Sequence, residues 1–365
     1  MPKTPKIFTI TAKWYNRNRM TTPKTIRVAI NGAGRIGRAF YKVAGERPEI
    51  EIVAMNDLTD AKNIAYLLKY DSAYGRSGLD VKASDDGKKL IVGGKEIAYL
   101  SEKDPAALPW KALNVDIVVE STGLFTSYAK ASAHITAGAK RVVITAPSKD
   151  DPAGPQAVTV LMGINESAVA SCPVSSNASC TTNAASPVIQ ILNDAIGIEK
   201  AILNTTHGYT GSQALVDGPA KKDWKEGRAG AQNMIPTSTG AAIAVTKAIP
   251  ALTGKFDGIS IRVPVIVGSI ADITFIAKRP TSVKEVNDIL KKAATDPRWQ
   301  KTFTVTEEQL VSSDIIGQPF ASIADLGLTR VVDGTLVKVM AWYDNEMGYT
   351  HSLVEHVILS GSNLK

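Results

Sequence analysis

The stretch from Thr25 to Asp57 restricts the possible folds more than any other part of the chain. Thr25–Ile30 is a short apolar run rich in β-branched residues, and a glycine-rich turn, Asn31–Gly34, follows it. Ile36, Phe40, Val43 and Ala44 then recur at helical spacing. Ile50–Met55 reads as a second strand, ending at Asn56–Asp57. Strand, helix and strand within about 30 residues make a βαβ unit, which requires parallel strands. Further strand candidates at Val115–Val119 and Arg141–Ile144 extend this to a doubly wound α/β sheet.

The turn carries the pattern G-x-G-x-x-G as Gly32-Ala33-Gly34-Arg35-Ile36-Gly37. The first glycine permits a tight turn, the second lets a pyrophosphate approach the backbone, and the third allows close helix–strand packing. The helix N-terminus offers N–H donors and a positive dipole end to the phosphates. Asp57, at the end of the next strand, is placed to bind a ribose 2′-hydroxyl and to repel a 2′-phosphate. No Lys or Arg follows in Leu58-Thr59-Asp60 to offset that charge, so the pattern favours NAD over NADP.

Beyond Ser175 the texture changes. Cys180–Gly197 reads as a helix that Pro187 should kink or interrupt. Longer strand candidates follow at Ala201–Thr206, Ile259–Val267, Ala271–Ala277 and Thr335–Tyr343, with turns at Thr253–Gly254 and Asp333–Gly334. A last helix carries Leu353, Val354, Val357 and Ile358. The expectation is a second, mixed α+β domain with a large sheet.

Charge is informative once it is located. Residues 1–24 hold six basic side chains and no acid, and read as a disordered basic extension. Without them the 365-residue chain has 36 basic against 35 acidic residues, which gives no footprint for nucleic acid or anionic lipid. No apolar run is long enough to span a membrane. Two cysteines, Cys172 and Cys180, suit a reducing, cytoplasmic setting, and no Cys/His set has zinc-site spacing.

Three segments carry reactive side chains. Cys180 follows Ser179, a good N-cap, in the polar run Ser175–Asn183, and a helix start lowers a thiol pKa. Cys172 reads as a packing residue. His207 ends a strand and enters a loop, a usual place for a catalytic side chain, although spacing alone cannot bring it to Cys180. Arg262 interrupts an apolar strand; it faces solvent or is presented to a phosphate.

Asn31–Arg38, Ser176–Asn183 and Trp342–Tyr349 together resemble the phosphorylating glyceraldehyde-3-phosphate dehydrogenase family, and the resemblance runs from about residue 25 to 360. It implies a Rossmann-type NAD-binding domain over 25–179, completed by a C-terminal helix in 345–365. It also implies a catalytic domain over 180–344 built on a large, mostly antiparallel sheet. The implied reaction converts glyceraldehyde 3-phosphate, NAD and inorganic phosphate to 1,3-bisphosphoglycerate through a cysteine thiohemiacetal and thioester.

The resemblance assigns Cys180 as nucleophile and His207 as its base. Thr210 and Arg262 fall where the substrate's phosphate binds, and Ser179, Thr239 and Gly240 where inorganic phosphate binds. Thr181 matches a substrate-contacting position. Arg35, Ile36, Asp57, Lys103, Thr145 and Asn345 match positions lining the NAD site, with Asn345 on the nicotinamide amide. Leu58 and Pro219 match the pair of NAD-preferring members. A homotetramer is implied. Ala184 stands where many members have a second cysteine, and Ser212 where many have Asp. Three readings compete: an erythrose-4-phosphate dehydrogenase, which Ile235–Ala242 opposes, an aspartate-semialdehyde dehydrogenase, which Asp57 opposes, and an inactive binding or scaffold protein on the same fold.

Overall fold

The computed structural model describes residues 25–151, 156–220 and 223–364. The basic extension read at 1–24 lies outside them. Two sheets organise the described chain. The first has nine strands, in the order Ala157–Thr159, Val174–Ser176, Arg141–Ile144, Ile117–Glu120, Ile26–Asn31, Ile50–Asn56, Lys95–Leu100, Lys89–Val92 and Val81–Ala83. The first seven of these pair in parallel, and the last two add an antiparallel tail.

The second sheet has seven strands, in the order Ile235–Ser238, Phe256–Val263, Ile198–Gly208, Ser269–Ala277, Leu336–Tyr343, Ser322–Val332 and Phe303–Thr306. Four of its six pairings are antiparallel. Its inner face carries Leu203, Ile273, Phe275, Val337 and Val339 against the helices Cys180–Ile196, Ala241–Ala248 and Val283–Ala294. The turn at Asp333–Gly334 is a tight hairpin in which both residues have positive φ, 48° and 65°.

The last helix, Met347–Ser362, returns to the first sheet. Its Tyr349, Leu353, Val354 and Val357 are buried in one core with Ile26, Val28 and Phe40. The chain thus crosses to the second sheet at Cys180 and comes back after Tyr343. Cys180 packs against both cores, at their junction.

One expectation needs correction. The helix Cys180–Ile196 runs unbroken through Pro187. A proline there costs one backbone hydrogen bond, but Val188, Ile189 and Leu192 around it are fully buried, and that packing offsets the loss. The antiparallel tail of the first sheet adds to the expected parallel arrangement without changing it. The strands Val81–Ala83 and Lys89–Val92 are only three and four residues long, so their apolar residues form no run long enough to stand out in the sequence.

Candidate active site

At the first crevice the three glycines have three separate reasons. Gly32 has φ of 99°, and a Cβ there would lie 2.6 Å from the Thr122 nitrogen. A Cβ on Gly37 would lie 2.0 Å from the Gly32 carbonyl oxygen, so only glycine lets the helix sit so close. A Cβ on Gly34 would meet nothing within 4 Å. Gly34 caps the helix Arg35–Ala44, so its surroundings leave room for a ligand at that helix's N-terminus.

Asp57 is tied to the same loop. Its Oδ2 accepts from the Ala33 N–H at 2.7 Å and its Oδ1 from the Thr59 N–H at 2.9 Å. Each oxygen keeps a second lone pair for a ribose hydroxyl. Lys103 is exposed just past the strand Lys95–Leu100, and half-buried Thr145 follows Arg141–Ile144. Ile36 is half-buried on the opening helix. Arg35 turns aside to pair with Asp71 at 2.9 Å and with Glu346. These residues fit a dinucleotide: open backbone donors for phosphates, and a carboxylate with spare acceptor capacity.

A buried chain of polar groups beneath this crevice escaped the sequence reading. Trp110 donates to His134 Nδ1 at 2.9 Å, which fixes the proton on Nε2, and that nitrogen meets Glu120 at 3.0 Å. Asn31 also donates to Glu120, at 2.6 Å, and Asn56 donates to Asn31 at 2.7 Å. Each residue alone reads as a strand end or an ordinary polar position, so only their convergence reveals the network.

The polar run before Cys180 is a constrained turn. Ala178 takes a left-handed φ of 55°, unusual for a residue with a Cβ. Asn183 holds the turn by donating to the Asn177 and Ser179 carbonyls at 2.8 and 2.9 Å, and Tyr349 donates to the Ala178 carbonyl at 3.1 Å. Ser179 caps the helix, its Oγ accepting from the Thr182 N–H at 3.0 Å. Cys180 is thereby fixed at the first helical position.

Register does the rest. His207 and Arg262 are direct partners in the parallel pairing of Ile198–Gly208 with Phe256–Val263. Both point to the inner face, with Leu203, Thr205 and Ser260, so Arg262 does not face solvent. Cys180 Sγ lies 3.4 Å from His207 Nε2. Arg262 Nη1 lies 2.6 Å from His207 Nδ1, and the Gly208 carbonyl lies 2.6 Å from the same nitrogen. Tyr343 sets its ring edge-on to the imidazole, while its hydroxyl bridges Thr181 at 3.0 Å and Thr205 at 2.7 Å. Sequence reasoning noted Tyr343 only as part of a motif.

Electrostatics in the ligand-free site differ from the expectation for a helix start. Burial pushes the Cys180 thiol above its ordinary range, although the Arg262 charge and local backbone N–H groups oppose this. Burial, and then the Arg262 charge, push His207 down to about 3. The helix start is outweighed by burial, which disfavours the thiolate.

The remaining candidates divide. Thr210 is half-buried, with its hydroxyl 3.1 Å from Ser212 Oγ. Thr239 and Gly240 stand at the start of Ala241–Ala248, where Thr239 Oγ1 accepts from the Ala241 N–H at 3.1 Å. Among the described residues no hydrogen bond joins them to Cys180. Thr181 is buried and its hydroxyl is engaged by Tyr343, so its side chain is not presented to the crevice. Asn345 Oδ1 accepts from the Gly268 N–H at 3.2 Å and from Ser269 Oγ at 3.0 Å, which leaves its NH₂ group to donate. Leu58 and Pro219 are both exposed.

Comparison with known proteins agrees with this layout. Residues 26–128 match the model for the glyceraldehyde 3-phosphate dehydrogenase NAD binding domain, and residues 179–345 match that family's C-terminal domain. The chain is 46% identical over 343 residues to a glyceraldehyde-3-phosphate dehydrogenase of Streptomyces coelicolor, covering 93% of this chain and all of that protein. A Mycolicibacterium smegmatis protein of the same name is also 46% identical, with 93% of this chain and all of that protein covered. One from Colletotrichum lindemuthianum is 43% identical over 331 residues, covering 90% of this chain and 96% of that protein. The chain belongs to the glyceraldehyde 3-phosphate dehydrogenase family.

Proposed function

From that membership and the geometry around Cys180, we propose that the protein oxidises glyceraldehyde 3-phosphate with NAD and inorganic phosphate to 1,3-bisphosphoglycerate. The observation that carries this reading is the 3.4 Å approach of Cys180 Sγ to His207 Nε2, with Arg262 beside them.

In this reading Gly32, Gly34, Arg35, Ile36, Gly37, Asp57, Lys103, Thr145 and Asn345 line the NAD site, and the Asn345 NH₂ group binds the nicotinamide amide. Bound NAD supplies the hydride acceptor. Cys180 attacks the aldehyde carbon as thiolate, and the carbonyl π electrons move to oxygen. The Cys180 backbone N–H and a protonated His207 are the donors available to that oxygen. His207 gives its proton to the alkoxide and, now neutral, takes it back as the C–H bond breaks, a contribution of about 10²–10⁴-fold. The hydride goes to the acceptor that NAD would supply, and the carbonyl re-forms as the thioester. An oxygen of inorganic phosphate then attacks the thioester carbon and expels the Cys180 thiolate.

Arg262 and Thr210 grip the substrate's own phosphate through both steps, where a fixed guanidinium charge is an advantage. Ser179, Thr239 and Gly240 receive inorganic phosphate at two helix starts, and Thr181 opposes the rise of the Cys180 thiol by hydrogen bonding to it. The domain division follows the chain crossings: 25–179 with the returning C-terminal helix for NAD, and 180–344 for catalysis.

Assembly into a homotetramer belongs to the same proposal. Leu215 and Trp224 are each 85% exposed in the long loop after His207. On the outer face of the second sheet Ile202 and Ile259 are also exposed, at 58% and 52%. Exposed apolar residues on the face turned away from the core suit a surface covered by copies of the chain. Among the described residues no helix is long and apolar enough to cross a membrane. A cytoplasmic setting is proposed on the cysteine usage.

The test is NADH formation by purified protein with glyceraldehyde 3-phosphate. Sustained turnover should require inorganic phosphate, and its omission should leave one burst of NADH per site. No NADH, or equal turnover without phosphate, refutes the assignment.

A further inference from the structure

Arg35 belongs to the glycine turn by sequence, yet its guanidinium is spent elsewhere. Its Nε donates to Glu346 Oε1 at 2.7 Å, Nη2 pairs with the other oxygen of that carboxylate, and Nη1 donates to Asp71 Oδ2 at 2.9 Å. The planar fork of a guanidinium permits this double hold, which a lysine could not copy. The backbone of Arg35 meanwhile stays at the helix start that offers N–H groups to the dinucleotide.

The second arm of the fork leads to a hairpin. Asp71 lies in the two-stranded hairpin that pairs Tyr70 with Arg76. Its other oxygen accepts from the Ala73 and Tyr74 N–H groups at 2.9 and 3.2 Å, which fixes the turn. Tyr74 reaches from that turn to Asp344, its hydroxyl donating at 2.9 Å. The Arg35 guanidinium lies over the Tyr74 ring, 5.7 Å from its centre, so the two side chains support each other. Asp344 is buried and accepts three more bonds, from the Gly317 N–H at 2.7 Å and the Glu346 and Met347 N–H groups at 2.8 Å. Burial pushes its carboxyl upward, and these donors oppose the push.

Asn345 stands between the two anchored carboxylates. Tyr74 holds the residue before it, and Arg35 holds the residue after it. Its own Oδ1 accepts from the Gly268 N–H and from Ser269 Oγ, which leaves the NH₂ group as the free end. The direction of that NH₂ group is therefore set from three sides. Two of the three come from the sequence of the dinucleotide-binding unit, far from Asn345 along the chain.

Hydride transfer is sensitive to this direction. The donor that holds the nicotinamide amide fixes the rotation of the ring against the thiohemiacetal carbon, and a misplacement of about 1 Å can cost on the order of 10²-fold in rate.

We propose that Arg35 and Tyr74 form a clamp that positions Asn345, so that the turn receiving the pyrophosphate also aligns the reactive end of the cofactor. The clamp rests on the reading that Asn345 binds the nicotinamide amide. Arg35 and Tyr74 are positioning residues, acting through Asn345. The competing role is plain bracing of the last helix, whose N-cap is Glu346. Bracing would affect every part of the cofactor alike, whereas the clamp concerns its nicotinamide end.

ADP-ribose separates the two, because it carries the adenosine, the pyrophosphate and the second ribose without the nicotinamide ring. The experiment titrates Tyr74→Phe, Glu346→Gln and the unaltered protein with NAD and with ADP-ribose by calorimetry. A second measurement follows the burst of NADH with glyceraldehyde 3-phosphate at saturating NAD and without inorganic phosphate. In both variants NAD binding should weaken roughly two- to tenfold, the worth of one hydrogen bond, with ADP-ribose binding unchanged. The burst should slow by about tenfold. Equal weakening for the two ligands, or none for either, overturns the clamp, as does a burst of unchanged rate.

Asn345→Ala provides the reference, and should lower NAD affinity relative to ADP-ribose at least as far. If that ratio does not move in Asn345→Ala, the nicotinamide reading of Asn345 fails and takes the clamp with it. If it falls there but in neither Tyr74→Phe nor Glu346→Gln, the clamp alone fails. Each of these two variants decides by itself, so one that does not fold leaves the other to answer.

Discussion

The cofactor crevice and the thiol centre are built on opposite principles. The crevice is backbone chemistry encoded locally: Gly32, Gly34, Gly37 and Asp57 lie within one βαβ unit, and Asp57 binds the loop it serves. The thiol centre is side-chain chemistry assembled from a distance. His207 is 27 residues from Cys180, and Arg262 is 55 from His207. One parallel register between two strands decides whether those groups meet. A locally written site survives changes elsewhere in the fold, whereas a register-built site fails at once if a strand slips by one residue.

The sharpest break between the regions is Cys180→Ser. On the proposed assignment it lowers turnover by on the order of 10⁴–10⁶-fold, while NAD binding, followed by fluorescence titration, is unchanged. His207→Asn should cost about 10²–10⁴-fold, again without loss of NAD affinity. Weakened NAD binding in either variant would show that the two regions are coupled.

A pair of substitutions divides the crevice itself. Gly37→Ala places a methyl 2.0 Å from the Gly32 carbonyl oxygen and should lower both stability and NAD affinity. Overpacking of this kind costs about 1–3 kcal/mol. Gly34→Ala meets no protein atom within 4 Å and has an ordinary φ of −66°, so it should weaken NAD binding and leave the melting temperature nearly unchanged. If the two variants melt alike, the separate roles given to these glycines are wrong.

Asp57→Ala should weaken NAD binding by roughly ten- to hundredfold, the worth of a charged hydrogen bond at about 1.5–3 kcal/mol. It should also narrow the preference for NAD over NADP, measured as a ratio of kcat/KM values. A wild-type preference for NADP would refute the role of Asp57.

The smallest effect concerns acid stability across the junction. Burial, and secondarily the Arg141 charge, push His356 down to about 3, while its ring bonds Ser175 at 2.9 Å and Asn177 at 3.1 Å. His207 is pushed down to about 3 as well. Both are neutral in the fold and have a pKa near 6.5 when unfolded. Their stabilisation is complete above about pH 6.5 and is lost as pH falls toward 3, because the unfolded chain then binds more protons. Each can steepen the acid slope by about 1.4 kcal/mol per pH unit. His356→Gln should flatten the fall in stability between pH 6.5 and 5, read from denaturant titrations. An unchanged slope would place the acid sensitivity elsewhere.

What the sequence alone determined was local. The βαβ unit, the three glycines and Asp57 follow from spacing, because a turn, a helix start and a strand end are fixed by neighbours a few residues away. Ser179 before Cys180 likewise announced a capped helix. The strands and the last helix were legible where apolar runs were long; the short strands at the tail of the first sheet were not.

Only the tertiary structure decided that Arg262 faces inward, that His207 meets Cys180, that Tyr343 and Glu120 anchor buried networks, and that the thiol is raised rather than lowered in the ligand-free site. The physical reason is the same in each case. Side-chain meetings depend on strand register and sheet order, and pKa values depend on burial and on charges brought from distant positions. Neither can be read from spacing along the chain.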